Sequence, residues 1–270
     1  MRGTLMGMCL ACAMVAHSQS VTTWMPLFNG VDLAGWRFSD QFWRTEAGAI
    51  HGEGKATGNT YCFLPARYSD FVLVAKTRLW QSEAGYTNSG IQYRSAFIDS
   101  SAFRMKGYQW DMGDGWDGSL YPEGHYPEGL QAIRETEECQ RANLRNDWNQ
   151  VVISADGDKV IHELNGKRCV EYKAEVKDGF IGLQLNATRI VMKVEFKDIF
   201  IRPLNGSFAI PESAAVRLGP DFAPESASIR GGKGGALPME SSRVFDALGR
   251  IIGGNRSKTM PIAAQSRRLP

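Results

Sequence analysis
A chain of 270 residues, 43% hydrophobic and 22% charged, has the make-up of a globular protein with room for one large β domain or two modest ones. Formal net charge is +2, but residues 205–270 carry nine Lys/Arg against five Asp/Glu and, with Arg2 set aside, 19–204 stands at −3. A mildly acidic folded part speaks against a phosphate-binding surface, so no nucleic-acid partner is expected.

In chain order, one early Arg, an apolar run from Leu5 to Ala16 and the small-residue site Ala16-His17-Ser18 read as a signal peptide over 1–18. Acylation at Cys12 is the second choice, because Cys9 stands where a lipoprotein signal carries an aliphatic residue. The mature chain is expected to be secreted, periplasmic or in the cell envelope. No later segment reaches the ~18 apolar residues of a membrane span. Cys62, Cys139 and Cys169 remain after processing; one bridge with one free thiol, or three unpaired thiols, both fit, and the pairing stays open.

All seven Trp and all eight Tyr fall between Trp24 and Tyr172. Large apolar side chains make cores, so one domain is expected over 22–204, with 205–270 a low-complexity tail. Within the domain the hydrophobic period is two almost throughout. Strands are predicted at Gly35–Ser39, Trp43–His51, Phe71–Trp80, Ser89–Arg94, Gly107–Asp111, Trp148–Ser154, Lys159–Leu164, Arg168–Tyr172, Phe180–Leu185 and Ile190–Arg202. Asp156-Gly157 and Asn165-Gly166 are hairpin turns. One helix is predicted over Glu128–Arg141. The fold class expected is an all-β jelly-roll sandwich. In the tail, Ser242–Ile252 has the pattern of a hairpin through Leu248-Gly249 and resembles the opening of a C-terminal sorting segment, without its closing strand.

Chemistry concentrates between Asn88 and Tyr126. Alternation puts Gln92 and Arg94 on one face of the first strand, and Gln109 and Asp111 on one face of the second. A glycine-punctuated loop follows with Asp114, Trp116, Asp117, Tyr121, Glu123 and His125. Rings beside hydrogen-bonding groups suit a saccharide. Trp116, Tyr121 and Tyr126 are the candidate stacking rings, with Trp116 in the loop the better platform, while Trp110 points the other way, into the core. Asp111, Asp114, Glu123 and His125 supply hard ligands for a divalent ion such as Ca²⁺ or Mn²⁺, the one cofactor these residues allow; no spacing rule fixes it. His51 and His162 sit in predicted strands and read as structural.

Leu27-Phe28-Asn29-Gly30 with Asp32-Leu33 and Gly35-Trp36 resembles the LFNGkdLxGW opening of the 3-keto-disaccharide hydrolase domain family. Asp70-Phe71, Asn88-Ser89-Gly90-Ile91 with Tyr93-Arg94, Lys106-Gly107-Tyr108-Gln109 with Asp111, and Gly118-Ser119-Leu120-Tyr121 with Glu123 are similar to further motifs of that family. Trp148-Asn149, Leu164-Asn165-Gly166, Gly182-Leu183-Gln184 and Phe196-Lys197-Asp198-Ile199 continue in family order, so the likeness covers about 24–203. It implies a concanavalin-like jelly roll acting on glycosides whose ring carries a 3-keto group. After Gln184-Leu185 the family usually has His, where Asn186 stands here; Asn can hydrogen-bond a hydroxyl but cannot titrate.

A 3-keto group acidifies the proton on C2. A base can remove it, the C1 oxygen leaves, and water addition completes a net hydrolysis. Asp111 is the expected base, Glu123 or His125 the acid, and Arg94 the group that stabilises the enolate. Gln92, Gln109, Asp114, Trp116, Tyr121 and Asn186 are expected to bind the substrate. The alternative is a non-catalytic carbohydrate-binding module on the same sandwich.

Overall fold
The computed structural model describes residues 24–204 and two short strands further on, at 244–245 and 251–253. The stretch 1–18, expected to be a signal peptide, and most of the tail lie outside the described residues. The chain divides into two compact units, Met1–Ala227 and Ser228–Pro270. In the second, Val244–Phe245 and Ile251–Gly253 pair antiparallel, the hairpin expected within Ser242–Ile252.

The first unit is an all-β sandwich of two antiparallel sheets. Its strands are β1 (Met25–Pro26), β2 (Trp43–Glu46), β3 (Ala49–Gly54), β4 (Thr60–Tyr68), β5 (Phe71–Leu79), β6 (Ser89–Asp99), β7 (Arg104–Met112) and β8 (Leu120–Glu123). After α1 (Glu137–Ala142) come β9 (Asn149–Asp156), β10 (Lys159–Leu164), β11 (Lys167–Lys173), β12 (Gly179–Leu185) and β13 (Met192–Pro203). One sheet runs β11-β10-β9-β5-β13-β3-β2, with β1 also on β13; the other runs β4-β12-β6-β7-β8. Alternation sends Ile91, Tyr93, Tyr108, Trp110, Ile181, Leu183 and Leu185 inward to meet Leu73, Val151, Ile153, Val194 and Phe196 from the opposite sheet. Each such buried side chain contributes about 1.5–3 kcal/mol, enough for this core to fix the register of both sheets.

Several expectations need correcting. Gly35–Ser39 forms only an isolated bridge, Arg37 to Phe63. Trp43–His51 is not one strand but β2 and the start of β3, turned at Ala47 and Gly48, whose φ angles are 50° and 75°. β4 was not expected, because Pro65 interrupts its pattern. The β4–β12 pairing shifts register between Gly179 and Ile181, so the ladder skips the proline that cannot donate to it. The helix expected over Glu128–Arg141 shrinks to Glu137–Ala142, capped by the Thr136 hydroxyl. Its first half is instead a turn, closed by Leu130 N donating to the Pro127 carbonyl, and then irregular chain that bridges Leu120 at Ile133. Cys139 on α1 bonds to Cys169 on β11, and Cys62 stays free and buried. Gly118 lies against this bridge, where a Cβ would come within 2.8 Å of Cys139 Sγ.

Candidate active site
The residues that alternation turns away from the core on β4, β12, β6, β7 and β8 share one face: Tyr61, Gln184, Gln92, Gln109, Asp111, Tyr121 and Glu123. Register places them side by side, with Gln92 opposite Gln109, Gly90 opposite Asp111, and Gln109 opposite Tyr121. Gly90 is needed here because a Cβ would strike Gln109 Cδ at 2.6 Å. The amide of Gln109 therefore lies flat over the neighbouring strand and reaches Asp111.

Asp111 is 3% exposed. Its Oδ1 accepts from Asn88 Nδ2 at 2.8 Å, Gln109 Nε2 at 3.1 Å and its neighbour's Met112 N at 3.1 Å. Oδ2 receives none of these bonds. Burial outweighs the three donors and pushes the carboxyl up to about 7, with the Glu123 charge adding to the rise. Glu123 is half-buried, its Oε1 taking Asn59 Nδ2 at 3.0 Å and its Oε2 taking Gln184 Nε2 at 3.1 Å. Burial raises this carboxyl too; the two amides, and the charge of His125 close by, pull the other way. Gln109 Nε2 also donates to Gln184 Oε1 at 3.2 Å, so an amide chain links the two carboxylates.

The expected residues divide into three groups. Asp111, Glu123, Gln109 and Tyr121 share the face, with Asp114 and His125 exposed in the loops beside it. Asp114 Oδ2 accepts from Thr87 N at 2.8 Å, which ties the segment carrying Tyr86 to this rim. Gln92 is fully buried and donates to Tyr61 Oη at 3.3 Å, so it supports the site from beneath rather than reaching a ligand. Asn186 reaches inward to Asn88.

Arg94 is the clear correction. A register shift between Tyr93 and Ala96, with Arg94 at φ 46°, breaks the alternation that would have turned it to this face. Its guanidinium is fully buried, paired with Asp70 at 2.9 Å and donating to the carbonyls of Ser69 and Gly157 at 3.0 and 2.9 Å. It is a structural clamp. Trp116 is also changed: the Arg134 guanidinium stacks on its ring at 4.0 Å and Tyr121 meets it edge-on at 6.2 Å. The exposed rings beside the carboxylates are Tyr121 and Tyr86, 36% and 52% exposed. Burial and then the charges of Asp111 and Asp114 push the Tyr86 phenol up to about 12, which places it in the same field.

Sequence reasoning missed Asn59, Tyr61, Tyr86 and Gln184 as site residues. Only Gln184, inside a quoted motif, left a signal. The expected metal ligands do not assemble: among the described residues no group of three or more His, Cys, Asp and Glu side chains is placed to hold an ion.

The sandwich and the motifs along the chain agree with the family comparison. The chain belongs to the 3-keto-alpha-glucoside-1,2-lyase-like domain family. The family model covers residues 23–202, the whole sandwich. Among solved structures, the sandwich is similar to two candidate glycosyl hydrolases from Parabacteroides distasonis ATCC 8503. One has TM-score 0.50 at 18% identity over 67% of this chain and 99% of its own; the other has 0.51 at 19% over 68% and 94%. It is also similar to the carbohydrate-binding module CBM66 from Bacillus subtilis, with TM-score 0.46 at 16% identity over 63% and 96%. At these identities the likeness is one of fold. No curated protein matches the chain. Membership of this family points to a carbohydrate-related function.

Proposed function
We propose that this family member is an exported enzyme that cleaves 3-keto-glycosides by proton abstraction, elimination and hydration. The observation that carries the reading is Asp111: one oxygen saturated by three protein donors, the other left for a ligand, and a carboxyl that titrates near 7. A base whose midpoint matches the working pH combines availability with driving force.

Asp111 Oδ2 takes the C2 proton, and the C2–H electron pair forms the enolate with the 3-keto oxygen. The enolate re-forms the ketone, its electrons make the C1–C2 double bond, and the C1–O bond breaks. Glu123, raised by burial, or His125 protonates the leaving oxygen. Water then adds at C1 and C2 regains a proton, so the net change is hydrolysis. Since Arg94 is occupied by Asp70, enolate stabilisation falls to neutral donors at the rim, Tyr86 and Tyr121. The Cys139–Cys169 bridge supports an oxidising compartment, in keeping with the signal peptide expected over 1–18.

The test compares a 3-keto-disaccharide with the same disaccharide unoxidised. Monosaccharide is expected from the keto substrate alone, with kcat/KM rising as pH increases through about 7, because the base must be ionised. Asp111→Asn should lower turnover by at least about 10³-fold with the fold intact. Equal rates on both sugars, or an active Asp111→Asn, overturns the mechanism. A protein that binds the keto sugar and never turns it over is a carbohydrate-binding module, the reading that Asn186, in place of a titratable residue, favours.

A further inference from the structure
We propose that the segment Asn186–Ala187, directly after β12, is a strut that sets both carboxylates through two asparagine relays, with Asn186 the positioning residue for Asp111. The inference rests on the reading of Asp111 as the base. Asn186 Nδ2 donates to Asn88 Oδ1 at 2.8 Å, and Asn88 Nδ2 donates to Asp111 Oδ1 at 2.8 Å. The next residue repeats the pattern: Ala187 N donates to Asn59 Oδ1 at 2.8 Å, and Asn59 Nδ2 donates to Glu123 Oε1 at 3.0 Å.

An asparagine amide has a donor end and an acceptor end of nearly equal size, so packing alone does not choose between its two orientations. A donor fixed on the oxygen side makes the choice. With Asn186 and Ala187 in place, each NH₂ group must face its carboxylate. The donated bond also polarises the amide and strengthens the one it gives in turn. Asn88 and Asn186 thereby hold the ligand-free oxygen of Asp111, while Oδ2 keeps its freedom to take a proton. Neither residue touches the reacting atoms, so both position rather than catalyse.

The groups that face Asp111 are Asn88 from just before β6, Gln109 on its own strand, Glu123 and Tyr121 from β8, Tyr61 from β4, and Tyr86 from the loop before β6, which Asp114 also faces. Asn186→Leu leaves all of them in place, so a difference in midpoint between that variant and the parent isolates the relay. The measurement is a carbon-detected titration of the Asp111 and Glu123 carboxyl resonances in the full ligand-free protein. Asn186→Leu, which removes the donor without adding charge, should raise the Asp111 midpoint by roughly 0.5–1 pH unit and move Glu123 less. Asn88→Ala should raise it further, and adding Asn186→Leu to that variant should change nothing more, because the intermediary is gone. Asn186→His, which restores an N–H donor, should cause no rise. Asn59→Leu should raise Glu123 rather than Asp111.

An Asp111 midpoint unmoved by Asn186→Leu, or a shift that persists when Asn88 is alanine, overturns the relay. Should the leucine variant not fold, Asn186→Ala reads the same loss of donor with less bulk. Turnover plays no part in this measurement: a relay confirmed in a protein inactive on the keto sugar would sink the function and leave the strut standing, and an active enzyme with no shift would do the reverse.

Discussion

Two groups of buried polar side chains lie on opposite faces of the five-stranded sheet. Inside the sandwich, Tyr93 from β6 joins His162 and Tyr172 from the opposite sheet, with 2.6 Å from its hydroxyl to each. His162 Nδ1 lies 3.1 Å from the Gly118 carbonyl, which can only accept. Nδ1 therefore carries the proton, Nε2 accepts from Tyr93, and Tyr93 accepts from Tyr172. Every member is neutral and satisfied, and burial holds the imidazole down at about 4. On the outer face Asp111 is almost as buried, but one of its oxygens is left over and its carboxyl is pushed up to about 7. A closed network welds two sheets; an open one keeps a group for chemistry at a cost to stability.

The comparison breaks or sharpens on pH. Asp111 has a native midpoint of about 7 against an ordinary 3.8. Between those values the native state holds a proton the unfolded chain has released, so stability falls as pH rises through the window. Asp111→Asn removes this liability and keeps the donor contacts to Oδ1. Measured against the parent by chemical denaturation, the variant should gain about 3 kcal/mol between pH 4 and pH 7. No gain, or a loss, would mean that the carboxylate is better solvated than its burial implies.

His162 has the opposite sign. Its native midpoint of about 4 lies below the ordinary 6.5, so the unfolded chain takes up the proton first. Stability is full above 6.5 and is lost as pH falls toward 4. His162→Gln costs stability at neutral pH by loosening the network, yet relative to the parent it should recover about 3 kcal/mol on going from pH 6.5 to 4. Difference curves that slope the same way for Asp111 and His162 would refute the contrast between an open and a closed cluster.

How much of this was legible in the sequence follows from the same contrast. Alternation on β6 and β7 is local, so Gln92, Gln109 and Asp111 fall on one face as their spacing predicts, and Trp110 falls in the core. It misplaced Arg94, because a bulge is set by pairing with a neighbouring strand and shows in one strand's pattern only as a residue forced to φ 46°. Asn59 and Tyr61 were lost with β4, whose Pro65 sits in a register shift that exists only once β12 is beside it. Asn59 and Glu123 are 64 residues apart, and Asn186 and Asn88 are 98 apart. Relays of that reach are products of the fold. The Cys139–Cys169 bridge, 30 residues apart, was open for the same reason.

The smallest effect falls on the rim, where the structure reverses the expected order of the aromatic residues. Tyr86 is 52% exposed, so Tyr86→Ala should leave folding within about 0.5 kcal/mol of the parent. If its ring and hydroxyl grip the sugar above Asp111, binding of a 3-keto-disaccharide should weaken about tenfold, as expected for one aromatic contact. Calorimetric titration in the Asp111→Asn background keeps the sugar intact while this is read. Trp116→Ala is the comparison, since one face of that ring is already taken by Arg134 at 4.0 Å. Its loss should weaken binding less than the loss of Tyr86 does, while costing more stability through the loop that Arg134 pins to Gly115. A ligand that depends on Trp116 and ignores Tyr86 would place the sugar on the loop side and move the mouth of the site away from Asp111.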